Sequence, residues 1–379
     1  MLRVFVAATC VPFLGLNAAS VLAAPRCMKI TFSGYARSET LTNFPALVLL
    51  GGDSAPAGFS YAQFASTNGW DLRFQNARRT RTLNHEIENW NTNGVSPVWV
   101  QVPMLGRSSH IWACWGRSEY ASSPPACTTN GSTWFEGFAG VWHMNQTNAA
   151  DSSPYRNDGS ASGTVVRASG TIDGAARFAY HDKGVHVPPA GSLALTNRGT
   201  LEAWVFATGT ADADAGNAGL VHNGDRGDLD AYGNFFDETY SLQLRNGNTF
   251  ALALREGGYM ERGVLHTGRW HHVVGSWNES RMWITLDGVR HPPANSYGGT
   301  IDLPGGVNLG SQLMTPSGWA PYRYNCLDGV LDEVRISAVA RSTNWAWATW
   351  MSVASNRVFS TYGPVGPPWD PLATFLTVE

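Results

Sequence analysis

The chain has 379 residues, 43% hydrophobic and 15% charged, with a formal net charge of −3 at pH 7. That length suits two domains, and 16 Trp, 16 Phe, 12 Tyr and 41 Gly suit many short strands joined by turns rather than a helical bundle. Lysine occurs only as Lys29 and Lys183, and no basic run or stripe stands out, so the sequence lacks the electrostatic footprint of a nucleic-acid-binding protein.

Residues 1–23 read as a signal peptide. Arg3 is a short positive region, residues 4–16 are apolar, and Val21-Leu22-Ala23 offers a small-residue cleavage site. The apolar run is shorter than the roughly 20 residues a membrane span needs, and no later run is long enough. The expected product is exported: periplasmic, secreted or at the cell surface. Without Cys10, the cysteines are Cys27, Cys114, Cys127 and Cys326, a set that suits disulfides in an oxidising compartment. All pairings are open. Cys114–Cys127 is the local choice, which would leave Cys27–Cys326 to clamp the two domains together.

Residues 28–116 carry MKITFSGY, FPALVLL, WDLRF, LNHEIENW, SPVWVQVPML and SSHIWACWG, each a short strand pattern bounded by Gly, Asn, Ser or Pro. A β-sandwich domain is expected. In it Glu86 and Glu88 share one strand face about 7 Å apart, a separation that fits an acid/base pair. Asp71 and Arg73 also share a face and are candidates to pair with them. The simpler reading is a structural ion-pair network beside Trp90 and Trp99. Residues 117–136 are Ser/Thr/Pro-rich and read as a linker.

Residues 137–362 form a second strand-rich block, from GVWHMNQ through GTLEAWVFA and GRWHHVVGSW to LDEVRIS. Of its two adjacent histidines, His271 and His272, one is expected to pack and one to face out. The block's one helical pattern is STNWAWATWMSVA, with Trp347, Trp350 and Met351 at i, i+3 and i+4 and Ser342 or Thr343 as N-cap. Residues 363–379 are proline-rich and then apolar, which suits a last strand or a self-assembly tail.

Two loops attract attention as ligand sites. Residues 221–240 hold Asp225, Asp228, Asp230 and Tyr232, and residues 313–325 hold Trp319 and Tyr322. Acids and aromatics on long loops suit sugar hydroxyls and pyranose faces. The stretch LDGVLDEVRISAVARS at 327–342 places Asp328, Asp332 and Glu333 close together. In a regular strand Asp332 and Glu333 face opposite sides.

The second block resembles the laminin-G-like, concanavalin A-like lectin/glucanase superfamily. The resemblance rests on GVWHMN, the 151–159 stretch that ends SPYRNDG, IDGAARF, TLEAWV, GRWHHVVGSW, MWITLDGVRH, VNLG and LDEVRISAVARS, met in that order. It implies an all-β chain of two tandem sandwiches, the second a jelly roll of two curved antiparallel sheets. It also implies a role in binding glycans or proteins outside the cell. Glucanases of this fold carry an acid-x-acid-x-x-acid pattern on one strand. Here Asp328 and Glu333 take the outer positions, but Val330 stands where the middle acid belongs, so the pattern is not met. The resemblance further implies that Asp332 holds a structural calcium or an edge hydrogen bond; Asp151 and Asn157 or Asp158 offer further oxygens to such a calcium, and a plain turn followed by a strand is the simpler reading. The first block is similar to a bacterial domain family of no assigned function, by WDLRF, LNHEIENW and VWVQVP. The expected function is non-catalytic recognition of extracellular polysaccharide or glycoconjugate, with calcium as a possible ordering ion. A glycoside hydrolase or lyase is the enzymatic alternative, with Glu86 and Glu88 its candidates, and an adhesion or filament subunit the structural one.

Overall fold

Strand alternation builds the first core. In Arg26–Thr31, Met28 and Ile30 are buried while Lys29 between them is exposed, and in His110–Trp115, Ile111, Ala113 and Trp115 turn to the same inner side. The computed structural model describes residues 24–52, 55–145, 149–162, 165–178, 184–209, 217–226, 239–245, 248–254, 258–296, 305–314 and 322–368. One five-stranded sheet has the order Thr361–Tyr362, Arg26–Thr31, His110–Trp115, Arg73–Gln75, Thr82–Leu83. A three-stranded sheet of Leu41–Gly51, Val95–Leu105 and His85–Ile87 closes this core with Phe44, Val48, Val98 and Val100.

The second sandwich stacks an eight-stranded sheet on a seven-stranded sheet. At the centre of the former, Gly199–Ala207 lies between Gly329–Ser337 and Trp270–Trp277. Leu201, Ala203, Val205, Val273, Leu331 and Ile336 point inward, against Leu242, Leu252 and Leu309 of the other sheet. The expected all-β, two-sandwich architecture is therefore present. The opposite face of those central strands carries Glu202, Trp204, His272 and Arg335, none more than 3% exposed. It is buried because the first sandwich and the C-terminal helix cover it. Arg335, for example, lies over the rings of Trp99 and Trp134, at 4.3 and 4.9 Å.

The expected helix forms at Thr343–Ala354, and Ser342 caps it by accepting the Trp345 N–H at 3.1 Å. Its fully buried side is Trp345, Ala346, Ala348, Thr349 and Ser352, so Trp347, Trp350 and Met351 are only half-buried. Trp345 meets Phe44 edge-on, with ring centres 5.0 Å apart. Leu41–Gly51 is an edge strand, and the C-terminal segment closes it. The Leu47 N–H donates to Ser352 Oγ and the Leu49 N–H to the Tyr362 hydroxyl, while the Asn356 amide donates to the Leu47 carbonyl, each at 2.9 Å.

The disulfide differs from both pairings favoured above. Cys27 bonds Cys114, because the register of their neighbouring strands sets the two residues opposite each other with Cα atoms 4.1 Å apart. Neither Cys114–Cys127 nor Cys27–Cys326 forms as a result. The 117–136 stretch is ordered by short 3-10 turns and ends on Trp134, which is buried with its ring 5.5 Å from Trp99. Among the described residues, no helix is long and apolar enough to cross a membrane.

Candidate functional site

The strand Gly329–Ser337 does not alternate regularly. Glu202 pairs with Arg335 but Trp204 with Asp332, so two residues of one strand stand against one of the other, and Glu333 takes φ +50°. This is a β-bulge. Leu331, Val334 and Ile336 keep their places in the core, and Asp332 and Glu333 both turn to the opposite face. The expectation that these acids face opposite sides is corrected by this one extra residue.

The bulge builds a buried ionic cluster where the two sandwiches meet. Glu333 is 2.6 Å from His143 Nδ1 through one oxygen and 2.6 Å from Arg335 Nη2 through the other. Arg335 also reaches Glu202 at 3.3 Å, and His272 stands 3.4 Å from the same carboxylate. The first sandwich adds the two acids singled out by sequence. Glu88 lies 3.6 Å from His143 Nδ1 and accepts the Trp99 indole N–H at 2.9 Å. Glu86 lies 3.6 Å from His143 Nε2, accepts the Trp134 indole N–H, and accepts Ser152 Oγ–H at 2.7 Å. The network beside Trp99 is thus present, but Trp90 packs elsewhere, against Tyr61 and Phe64. Asp71 and Arg73 are not in it. Asp71 accepts the N–H groups of Ala65, Ser66 and Gly116, and Arg73 donates to the carbonyls of Trp70 and Leu72.

Charge is unevenly shared in this cluster. Burial opposes ionisation of Glu333, but His143 and Arg335 outweigh it and hold Glu333 below the usual carboxylate range. Burial likewise opposes the His143 cation, yet Glu333 and Glu88 raise it well above the ordinary histidine range. Burial and then Glu333 push Glu88 well above the usual range. The same two causes raise Asp332 to about 8. A cavity of about 170 Å³ reaches the cluster and is lined by Glu86, Glu88, His143, Asn145 and Ser152. Unequal carboxyls around one imidazole are equipment for moving protons. Ligand atoms of Glu88, His143 and Glu333 also lie within 4.8 Å of one another, a mixed set unlike the oxygen cage calcium requires.

The three residues expected to hold calcium are engaged otherwise. Asp151 accepts N–H from Val141, Ser153 and Asn157 and O–H from Ser153, so both its oxygens face donors. Asn157 turns its amide N–H groups to Ala139 and Ser192. Asp332 Oδ2 accepts from Thr171 N, Thr171 Oγ1 and Ile172 N, and Oδ1 is buried with no hydrogen-bond partner.

Of the expected ligand residues, Asp228, Asp230, Tyr232 and Trp319 lie outside the described residues. Asp225 and Tyr322 are brought together by backbone. Asp225–Arg226 and Tyr322–Tyr324 flank Gln312–Met314 in a three-stranded sheet, one on each side of that middle strand.

Sequence reading missed an open groove of about 410 Å³ where the C-terminal helix crosses the eight-stranded sheet. Trp204, Trp270 and Trp350 line it, with Thr171, Arg269 and Asp287. Asp287 is fixed by His271 Nδ1 at 2.7 Å and by the His272 N–H at 2.9 Å. His271 Nε2 accepts from Arg269 Nε at 3.0 Å. Both histidines are buried, contrary to the expectation that one faces out. The Trp204 indole N–H is buried without a hydrogen-bond partner, and Thr171 is the residue Asp332 holds from behind. The tryptophans are visible in TLEAWV, GRWHHVV and the helix, but nothing in their spacing brings the three together.

Residues 180–345 match the family model of the concanavalin A-like lectin/glucanases superfamily. No curated protein matches the sequence. Among solved structures, domain 4 of AbnA, a GH43 extracellular arabinanase from Geobacillus stearothermophilus in complex with arabinotriose, is similar at 16% identity and TM-score 0.40, over 55% of this chain and 96% of that one. The binding domain of Paraclostridial Mosquitocidal Protein 1 is similar at 14% identity and TM-score 0.44, over 57% of this chain and 52% of that one. A mutant Trypanosoma rangeli sialidase displaying trans-sialidase activity is similar at 16% identity and TM-score 0.42, over 71% of this chain and 42% of that one. The chain thus spans about half or less of the latter two.

Proposed function

We propose that this chain, whose residues 180–345 carry the concanavalin A-like lectin/glucanase fold, is an exported protein that recognises polysaccharide without cleaving it. The observation that supports this reading is the groove lined by Trp204, Trp270 and Trp350. Sugar rings present C–H faces that stack on indoles, while a few polar groups orient the hydroxyls. Arg269, Asp287 and Thr171 supply those polar groups; the Asp287–His271–Arg269 chain of hydrogen bonds keeps the first two in place before a ligand arrives, and Asp332 holds Thr171. The Cys27–Cys114 disulfide suits an oxidising compartment. The test is retention of the mature chain on a panel of soluble and insoluble polysaccharides, with reducing ends assayed in the supernatant. Retention without release is expected, and Trp270→Ala or Trp350→Ala should weaken it about tenfold or more. Retention untouched by both substitutions would sink the groove as the site.

A second reading, hydrolase or lyase, is favoured by Glu86, Glu88 and His143 lining one cavity. Release of oligosaccharide that disappears in Glu86→Gln and Glu88→Gln would establish it over the first.

A further inference from the structure

We propose that the first sandwich carries a second binding site, an arginine-lined cavity on the outer face of its five-stranded sheet that takes the carboxylates of an acidic polysaccharide. The strands whose inner residues fill the core turn Arg73, Gln75, Trp112 and the Cys27–Cys114 disulfide to the other side. Over that face lies a cavity of about 510 Å³. Arg26, Arg73, Arg78, Arg79 and Arg117 all line it.

Little opposite charge from the described residues meets this concentration of cations. Asp71 is the one acid in the lining, and its oxygens are taken by the N–H groups of Ala65, Ser66 and Gly116. Arg117 pairs with Glu119 at 3.1 Å on the surface. Among the described residues, the other four arginines form no ion pair. Two of them are nevertheless held still. The Arg73 guanidinium stacks on Tyr120 at 4.6 Å and is tethered by two carbonyls. The Arg79 guanidinium stacks on Trp112 at 3.6 Å, from a residue in the left-handed region at φ +59°. Burial pushes both below the usual arginine range, as expected of partly desolvated cations with little opposite charge around them. A fixed guanidinium fork matches a carboxylate with two parallel hydrogen bonds.

The same rings argue against nucleic acid. Base stacking needs open aromatic faces, and here Tyr120 and Trp112 are each covered by a guanidinium on one side. A sugar carrying its own carboxylate needs charge and hydrogen bonds, which the cavity offers. Only the ligand class, a polysaccharide, rests on the proposed function. The cavity lies in the other sandwich from the tryptophan groove.

Binding of polygalacturonate, a neutral β-glucan and a single-stranded DNA oligonucleotide to the mature chain tests it. Polygalacturonate should bind in about 50 mM salt and weaken about tenfold or more by about 500 mM, where screening is short-ranged. The exposed-residue variant Arg78→Gln/Arg117→Gln, and separately Arg79→Gln with its fold checked by circular dichroism, should each lose about tenfold or more. The inference is overturned if polygalacturonate does not bind, if the arginine variants bind it as the parent does, or if the oligonucleotide binds more tightly. Loss of glucan retention in every form, with polygalacturonate binding intact, would instead remove the groove reading and leave this one standing.

Discussion

Replacing Asp332 by asparagine should change how stability depends on pH. Burial and Glu333 raise its folded value from 3.8 to about 8. A carboxyl raised on folding keeps a proton that the unfolded chain releases, so stability falls as pH climbs from near 4 to near 8 and levels above that. At about 1.4 kcal/mol per pH unit, the wild type should lose roughly 4 kcal/mol between pH 5 and pH 8 that Asp332→Asn does not lose. The amide oxygen can accept the same three hydrogen bonds from Thr171 and Ile172. The amide nitrogen takes the place of an oxygen that already lacks a partner, so its cost is a constant offset of about 1–3 kcal/mol. Other groups do not mimic the difference. Glu88 shifts in the same sense but is present in both proteins, and Glu333 and Glu202, lowered on folding, lose their contribution only in acid below their ordinary range. Urea unfolding followed by tryptophan fluorescence at pH 5, 6, 7 and 8 gives both curves. Parallel curves would refute the buried, protonated Asp332.

Two further outcomes follow from the packing. Arg335→Met leaves Glu333 and Glu202 without their shared cation in a buried setting, which should cost about 3–5 kcal/mol in chemical denaturation; adding Glu202→Gln should recover part of it, and no recovery would mean the loss is one of packing on Trp99 and Trp134. Cys27→Ser/Cys114→Ser removes a bridge spanning 87 residues and should lower the stability of the oxidised protein by about 2–4 kcal/mol, with no further change on adding reductant; a reductant effect persisting in the variant would point to another bridge.

How much of this was legible depended on whether the information is local. The strands, the Ser342 cap and the helix come from short patterns and appear where the sequence puts them. Glu86 and Glu88 were visible as a same-face pair, but their partner His143 lies in the other sandwich and nothing in the spacing connects them. Asp332 and Glu333 were misread because alternation assumes a regular strand, and a single bulge residue reverses one side chain. The disulfide was misread for a related reason: nearness along the chain favoured Cys127, whereas strand register chose Cys27. The arginine cavity was legible only in part: Arg73, Arg78 and Arg79 stand close together in the sequence, but Arg26 and Arg117 come from distant segments and join them only when the sheet forms.

The C-terminal segment has a consequence for how the protein comes into being. Trp345, Ala348 and Phe359 complete the first core, and Ser352, Asn356 and Tyr362 close the Leu41–Gly51 edge. A ribosome delivers these residues only after the whole second sandwich. Until then the first sandwich has an open strand edge and an unfilled core, the condition in which strands pair with wrong partners. The first sandwich therefore waits on the segment that follows the second. A nascent chain stalled anywhere before residue 343 therefore exposes the strands of its first sandwich to aggregation and proteolysis.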